Sequence, residues 1–553
     1  MWVLAASPST DLIHTLEAAL VSQFHMHVGC RNAAGSGGEG ALCRPNRPDP
    51  PYFLYVVGAR ADQPRSAPAS HIVELAKAEV RSNPQCSDQM KEFASVRVED
   101  AEAGVHKVLV KHGFSVDVPI EYLDVGPGKL KKFPFIGPMA WAQFLLDSGR
   151  IAKQLCGVAN FVEMELRLCE FWHRYEAILR RCAEDFAALA RVGIRDKDGN
   201  HLWLIHLNNK GDLPALTKLS GAKRSFSHVP RAAQSRTAAT GICHVCLAGV
   251  EASRAHPQSL PYEDVSLHPS WEGTIDTVPW SSRPALLEGL PVCPGKEPSF
   301  FQTDIWHNIH LGIAKHWIAG GFVCLVERFG AIPTIGGNGV EAKFTWMTRD
   351  FGSFCKTRRI SPHSKEISRA SLNWPSSRIC PIGAWSKGSM STHLLLYLED
   401  LCTRFVVGKT DDEARGSHYV NSVMAFMYSH GFWLRKEDGQ ALGRQLLAFL
   451  QCYTNAAALC LREGKLRFSL VPKVHMTAHS AIQLLQQART PNATHVISPL
   501  AFSVQMQEDF VGRPARLSRR VSVRALHNQV AKRSLINVCL AFQQADEDFR
   551  GMQ

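Results

Sequence analysis

The segment 303–316 constrains the fold of this chain more than any other stretch. It places one carboxylate, three histidines and one lysine in a run that otherwise has the half-apolar pattern of a helix. Asp304, His307 and Leu311 recur at helical spacing, so the carboxylate and the first imidazole lie on one face, one turn apart. Two interpretations stay open. Either the pair binds a divalent metal, with His307 orienting the acid, or Asp304 caps the helix and His307 is a satisfied, half-buried histidine.

The length and composition indicate a globular protein with several folding units. A chain of 553 residues is too long for one compact domain, and we expect roughly three to four units. Hydrophobic residues make up 45% of the chain and charged residues 20%, which is enough to build sizeable cores. The formal net charge of +12 favours an anionic partner, with nucleic acid first.

The cysteines and the apolar runs indicate an intracellular protein. The sixteen cysteines are scattered, which is typical of a reducing compartment rather than of a secreted disulfide scaffold. The start of the chain, 1–4, lacks the cationic residues of a signal peptide. The longest apolar run, near 317–326, is about ten residues long, too short to span a bilayer. We therefore expect no membrane span.

Changes in composition along the chain predict a mixed α/β protein with six segments. Residues 33–51 are rich in glycine and proline, and residues 253–300 contain eight prolines without a clear period. An irregular loop of that length is usually functional or disordered. The predicted segments are 1–51 (N-terminal helix and Gly/Pro-rich linker), 52–124 (small mixed α/β region), 125–192 (helical arm), 193–319 (first part of the core, with an irregular insertion), 320–490 (helical insertion) and 491–553 (C-terminal part of the core, with a basic helix).

Cys243 and Cys246 form the one close CxxC pair, which is half of a tetrahedral zinc site. The site needs two further ligands, and no spacing singles them out. The alternative interpretation is two reduced thiols, while a redox pair is disfavoured because no thioredoxin-like unit surrounds it. The candidate partners are His256, His268, Cys293, His307 and His310.

A second pair of potential metal ligands is His475 and His479, which stand four positions apart on one helix face. The spacing resembles half of a zincin helix, but Met476 occupies the position of the catalytic glutamate, so a metalloprotease is disfavoured. A zinc-dependent hydrolase stays a third hypothesis. It requires these two histidines to meet His307 and His310 around an open metal position.

The C-terminal region joins acids to a basic run. Glu508 and Asp509 precede residues 511–535, which contain seven lysines and arginines and no acid. Carboxylates for a metal followed by arginines for phosphate suit a phosphodiester-cleaving site, whereas the alternative is a solvated basic helix face. The candidate nucleic-acid contacts are Lys387, Lys473, Arg513, Arg516, Arg519, Arg520 and Arg524.

Taken in order, these blocks resemble the cut-and-paste DDE transposases, closest to their CACTA-like and Plavaka-like group. The resemblance rests on Leu204-Ile205-His206-Leu207 with Gly211-Asp212-Leu213-Pro214, on the CxxC pair and on Asp304-x-x-His307. Trp385-Ser386-Lys387-Gly388, Pro472-Lys473-x-His475 and Gln507-Glu508-Asp509 resemble later blocks. The resemblance covers roughly residues 125–535.

The resemblance implies a ribonuclease H-like core in which three carboxylates bind two Mg²⁺ or Mn²⁺ ions. Asp304 would be the second acid, and Glu508 or Asp509 the third. The family would place a strand with the first acid between the predicted helix ending near Val192 and the strand at 203–207, but only about ten residues separate them. Either Asp212 or Asp198 therefore serves as the first acid, or the segment that carried it has been lost.

The function that the resemblance implies is that of a transposase-derived, nuclear DNA-binding protein. Its ancestral activity is metal-dependent strand cleavage and transfer, which we expect to be impaired in this copy. Structural zinc at the CxxC pair and self-association are further expectations. The alternative from another class is a non-catalytic DNA-binding module with a zinc knuckle.

Overall fold

The computed structural model describes residues 2–5, 69–113, 115–124, 132–148, 172–196, 198–199, 201–206, 208–226, 241–252, 257–327, 332–406 and 411–505, with isolated positions between 531 and 543. Its contacts form two compact units. Unit 1 holds the described residues of 2–5 and 203–505, and unit 2 holds those of 69–202 and 531–543. The chain passes from unit 2 to unit 1 within one strand, His201–His206.

Unit 2 combines helices with antiparallel strand pairs. Its N-terminal helices pack around a small core that includes Val73, Phe93 and Val105. The Ser87 side chain accepts a hydrogen bond from the backbone N–H of Met90, which caps the second helix. The elements are α1 (Ala69–Ser82), α2 (Asp88–Ser95), α3 (Ala101–Lys111), β2 (Glu121–Asp124), β3 (Lys132–Phe135), α4 (Pro138–Asp147), α5 (Trp172–Arg191) and β4 (Ile194–Arg195); β2 pairs with β3, and β4 with the start of β5 (His201–His206).

Unit 1 is built mainly from helices, with three strand pairs. Two pairs are antiparallel and one, β6 with β7, is parallel. Its strands are β1 (Trp2–Ala5), which pairs with β5, β6 (Asn209–Gly211), β7 (Phe301–Thr303), β8 (Trp433–Arg435) and β9 (His495–Ile497). Its helices are α6 (Leu213–Ser220), α7 (Ile305–Asn308), α8 (Ala314–Glu327), α9 (Val340–Thr357), α10 (Gly388–Phe405), α11 (Asp412–Ser429), α12 (Lys436–Arg462) and α13 (Pro472–Arg489).

Helix α8 lies at the centre of the hydrophobic core of unit 1. Gly320 and Gly321 let other side chains approach its backbone, because a Cβ atom at these positions would lie 2.6 Å from the Phe468 ring and 2.9 Å from Leu398. The segment Ile305–Glu327 has the length and composition of a membrane-spanning helix, yet 83% of its most apolar window is buried in the protein. Such burial is also what the core helix of a soluble protein has.

The predicted mixed class is confirmed, since the described chain combines helices with small sheets. Residues 2–5 form strand β1, and the rest of the segment 1–51, on which the predicted N-terminal helix falls, lies outside the described residues. Between residues 320 and 490 the described chain runs through helices α8 to α13.

Candidate metal centre and neighbouring acidic site

Four side chains converge in unit 1 in a group that could hold a metal ion. The ligand atoms of Cys243, Cys246, His475 and His479 all lie within 4.8 Å of one another. The Sγ of Cys246 is 3.3 Å from Nε2 of His475, and the Sγ of Cys243 is 3.6 Å from Nε2 of His479. Zinc bonds of about 2.0–2.3 Å put tetrahedral ligand atoms about 3.3–3.8 Å apart. We call this group the metal centre.

The loop that carries the two cysteines is shaped by its own backbone. The N–H of Val245 donates to Sγ of Cys243 over 3.3 Å, and the N–H of Ala248 donates to Sγ of Cys246 over 3.4 Å. Gly241 has a φ of +75°, and a Cβ atom there would lie 3.0 Å from the Ala248 carbonyl. The tight turn therefore needs glycine at position 241. The N–H groups of Val245 and Ala248 stabilise the cysteine sulfurs in their thiolate form.

Helix α13 supplies both imidazoles. Pro472 occupies its first turn, where a missing N–H costs nothing, and His475 and His479 then share one face. The Nδ1 of His475 lies 2.9 Å from the carbonyl oxygen of Tyr262. Because a carbonyl only accepts, Nδ1 carries the proton, and the lone pair of Nε2 faces Cys246. Trp271 packs on both rings, at 4.6 Å and 4.5 Å between centroids.

The electrostatics of the metal centre favour a thiolate at Cys243 and a neutral imidazole at His479, whereas burial and the neighbouring Cys243 raise the pKa of Cys246 well above its usual range. Burial acts to raise the pKa of Cys243, but the hydrogen bond from Cys246 and the neighbouring His479 bring it well below its usual range. Burial lowers the pKa of His479, which keeps that ring in the neutral form that binds metals. The buried Arg224 donates from Nε to the Cys243 carbonyl over 2.6 Å and adds positive charge beside the sulfurs.

The predicted convergence of Cys243 and Cys246 is confirmed, but the predicted source of their partners is wrong. His268 is two-thirds exposed and lies 3.5 Å from Glu272 instead. Cys293 is exposed, and His256 lies outside the described residues. The partners lie on α13, and the spacing of His475 and His479 was the signal for them, since a helical pair presents two imidazoles to one point.

All four positions of a tetrahedral ion would be filled by protein atoms, which is the arrangement of a structural rather than a catalytic metal site. The histidines of the hydrolase hypothesis divide between two places, because His307 and His310 do not belong to the metal centre. The geometry therefore does not favour a zinc-dependent hydrolase.

A second site lies at the carboxyl ends of the parallel strands β6 and β7. Gly211 is paired with Thr303, so Asp212 and Asp304 follow at the same edge. The N–H of Asp304 donates to the Gly211 carbonyl over 3.1 Å. We call these two acids the acidic site. Asp198, the other candidate for the first acid, is exposed and belongs to unit 2.

The carboxylate of Asp304 is buried and fully engaged in hydrogen bonds. Its Oδ1 accepts from the N–H groups of Trp306 (2.8 Å) and Val504 (3.1 Å). Its Oδ2 accepts from the N–H of His307 (3.1 Å) and lies 2.5 Å from Nδ1 of the same residue. These four contacts occupy the four lone-pair positions of a carboxylate. The capping interpretation is therefore confirmed, and the His307 side chain is 17% exposed.

The other acid and the second histidine differ in their surroundings. Asp212 caps α6 through one bond, from the Ala215 N–H over 2.8 Å, and is partly exposed. His310 is buried, its Nδ1 lies 3.2 Å from Oγ1 of Thr392, and burial lowers its pKa to about 4.

The remaining predicted residues are only partly described. Lys387 is exposed just before α10, and Lys473 is half-buried, with Nζ 3.2 Å from the Leu311 carbonyl. The described chain returns to the acidic site at Val504, four positions before Glu508. Glu508, Asp509, Arg513, Arg516, Arg519, Arg520 and Arg524 lie outside the described residues.

Comparison of the chain with models of known protein families, with curated proteins and with solved structures finds no match.

Proposed function

We propose that this chain is a transposase-derived DNA-binding protein with a ribonuclease H-like core, a structural zinc ion and an acidic site impaired in strand cleavage. The observation that carries the proposal is the position of Asp212 and Asp304 at the ends of two adjacent parallel strands. Enzymes that displace phosphodiesters hold their metals between carboxylates placed close together in this way. In the resemblance to DDE transposases, Asp212 and Asp304 correspond to the first and second of the three catalytic acids.

The path of the chain supports the same core. After the helices from α8 to α13, the described chain returns to Asp304, where the N–H of Val504 donates to Oδ1. Lys210, at the centre of β6, fixes this return by donating to the carbonyls of Ala501 (3.3 Å) and Ser503 (2.9 Å). The third predicted acid, Glu508 or Asp509, follows within a few residues in the sequence.

The saturation of Asp304 is the reason for proposing impaired cleavage. A Mg²⁺ ion needs oxygen lone pairs at about 2.0–2.1 Å, and on Asp304 those positions hold N–H donors from three residues, Trp306, His307 and Val504. A metal would have to displace at least one of them, and each lost bond leaves a donor unpaired in a buried place. The net charge of +12 keeps the attraction to DNA that cleavage would require.

Zinc is the ion that best fits the metal centre. Two thiolates and two neutral imidazoles form an uncharged set with Zn²⁺, and a closed tetrahedron of sulfur and nitrogen is the usual structural zinc site. The residues that hold it would be Cys243, Cys246, His475 and His479. Its contribution is to fasten the loop of the cysteines to α13.

The first experiment is a nicking assay on supercoiled DNA with Mg²⁺ or Mn²⁺, comparing the wild-type chain with Asp304→Ala. We expect no nicking that depends on Asp304. Metal-dependent nicking that disappears in Asp304→Ala would show that the acidic site is catalytic and would reject the impaired state.

The second experiment measures the salt dependence of binding to DNA. Each neutralised phosphate contributes about −0.9 to the slope of log affinity against log salt. The triple variant Arg516→Ala, Arg519→Ala, Arg520→Ala should therefore flatten the slope by roughly two to three units without loss of folding. Lys387→Ala is a single-site comparison with a change of about one unit or less. A chain that does not bind DNA at low salt would reject the proposed function.

A further inference from the structure

Helix α13 takes part in both the metal centre and the surroundings of the acidic site. His475 and His479 point their Nε2 atoms to the cysteine sulfurs. Lys473, two positions before the first of these histidines, points the other way and donates from Nζ to the Leu311 carbonyl over 3.2 Å. The first two turns of α13 therefore contact both the cysteines of the metal centre and the backbone at Leu311.

The part of the chain that Lys473 touches is an irregular turn. Residues Ile309–Ile313 form a π-helical turn between α7 and α8, and Gly312 has non-helical angles there, φ −123° and ψ −110°. Such a turn interrupts the regular ladder of helix hydrogen bonds. Side chains of other helices bind its carbonyls, because Ser391 donates to His310 and Lys473 to Leu311. We call Ile309–Ile313 the kinked turn.

The fit between Lys473 and the kinked turn is close. A Cβ atom on Gly312 would lie 2.4 Å from Cδ of Lys473 and 2.6 Å from the His307 carbonyl oxygen, so the lysine stem lies where no side chain fits. The kinked turn in turn follows α7, whose first turn supplies the N–H donors that hold Asp304. A displacement of the first turn of α13 would therefore move the kinked turn and change the hydrogen bonds that α7 makes to Asp304.

We propose that the metal ion, by fixing His475 and His479, positions the kinked turn and Asp304 through Lys473. Lys473 is then a positioning residue and not a metal ligand. The inference rests on the zinc occupancy of the proposed function, but it does not depend on DNA binding or cleavage. Without the ion the first turns of α13 lose the anchor that holds the two rings, and the local opening free energy of the segment falls.

Hydrogen exchange followed by mass spectrometry tests the coupling on the full chain. The zinc content of the purified protein is measured first, and exchange is then compared before and after chelation of the metal. We expect chelation to speed exchange at 241–250 and 472–489, which form the metal centre. It should also speed exchange at 304–316 by about tenfold, which corresponds to the loss of one charge-assisted hydrogen bond. Faster exchange at 241–250 and 472–489 with unchanged exchange at 304–316 would overturn the proposal.

Variants of Lys473 keep the test decisive if chelation unfolds the chain, which exchange in α9 at 340–357 would reveal. Lys473→Met with its zinc still bound should speed exchange at 304–316 alone, and Lys473→Arg should restore it, since a guanidinium can donate to the same carbonyl. Lys465→Met, in the loop after α12, is the matched control and should change nothing at 304–316. Equal exchange in Lys473→Met and the wild-type chain would overturn the coupling. Purified protein without zinc would instead reject the proposed zinc occupancy. Neither result bears on DNA binding, which the nicking and salt-dependence experiments test independently.

Discussion

The metal centre and the acidic site lie in the same unit and are both built from side chains that can bind a metal, but they differ in what their lone pairs contact. In the metal centre the Nε2 atoms of two histidines and two sulfurs face one another within 4.8 Å, and the Nδ1 proton of His475 is directed to the Tyr262 carbonyl. In the acidic site both oxygens of Asp304 face N–H donors of the chain itself. The comparison shows that a potential ligand binds a metal only if its lone pairs are not already accepting hydrogen bonds. A side chain whose lone pairs all accept N–H bonds, as in Asp304, serves as a helix cap instead.

The largest effect that this comparison predicts is at the metal centre. Cys243→Ser should abolish zinc binding and lower the free energy of unfolding by about 5 kcal/mol or more, because binding of a structural metal contributes directly to folding. Metal analysis and urea unfolding measure the two quantities. Cys293→Ser, at an exposed cysteine, is the matched control and should change neither. Unchanged stability in Cys243→Ser would mean that the centre holds no structural metal and consists of two thiols and two histidines in contact.

The next effect concerns the acid that acts as a cap. Asp304→Ala should lower the free energy of unfolding by about 3 kcal/mol, since it removes a helix cap and leaves several buried N–H donors unpaired. The zinc content should stay the same. The urea midpoint checks the first expectation and metal analysis the second. If the variant is as stable as the wild-type chain, the hydrogen bonds to Asp304 contribute little to the free energy of unfolding. A metal ion could then replace them at little cost.

The third effect is a pH dependence at the kinked turn. Burial lowers the pKa of His310 from 6.5 to about 4, so between these values the unfolded chain binds the proton more readily than the folded chain. Stability is therefore fully present above pH 6.5 and falls as the pH decreases toward 4, by about 2 kcal/mol at pH 5 for one such group. His310→Gln should show a smaller loss between pH 7 and pH 5 than the wild-type chain. Acid release of the metal affects both proteins, so equal losses in the two would contradict the assignment to His310.

The smallest effect separates the two acids of the acidic site. Asp212 makes one capping bond and is partly exposed, so Asp212→Ala should cost only about 1 kcal/mol. Thermal unfolding of Asp212→Ala and Asp304→Ala under one set of conditions measures the difference. If the two substitutions cost the same, or if Mg²⁺ stabilises the wild-type chain and neither variant, the acids share an ion and the contrast with the metal centre is lost.

The local parts of both sites could be predicted from the sequence. The period of 303–316 indicated a helix with Asp304 and His307 on one face, and capping by Asp304 was one of the two interpretations it left open. The spacing of the CxxC pair and that of the helical pair His475 and His479 each indicate potential metal ligands. Each of these features depends on neighbours within a few residues, for which backbone geometry and hydrogen-bond capacity are sufficient.

Only the tertiary structure decided which of these local features meet. Helical spacing places His475 and His479 on one face, but packing of α13 against the CxxC loop brings that face to the sulfurs, more than 200 positions away in the sequence. The pairing of β6 with β7 selected Asp212 as the neighbour of Asp304, and the return of the chain at Val504 filled the last lone-pair position on Asp304. Spacing fixes which side chains share a surface, whereas burial of the core as a whole determines which surfaces are brought together, and no local pattern contains that information.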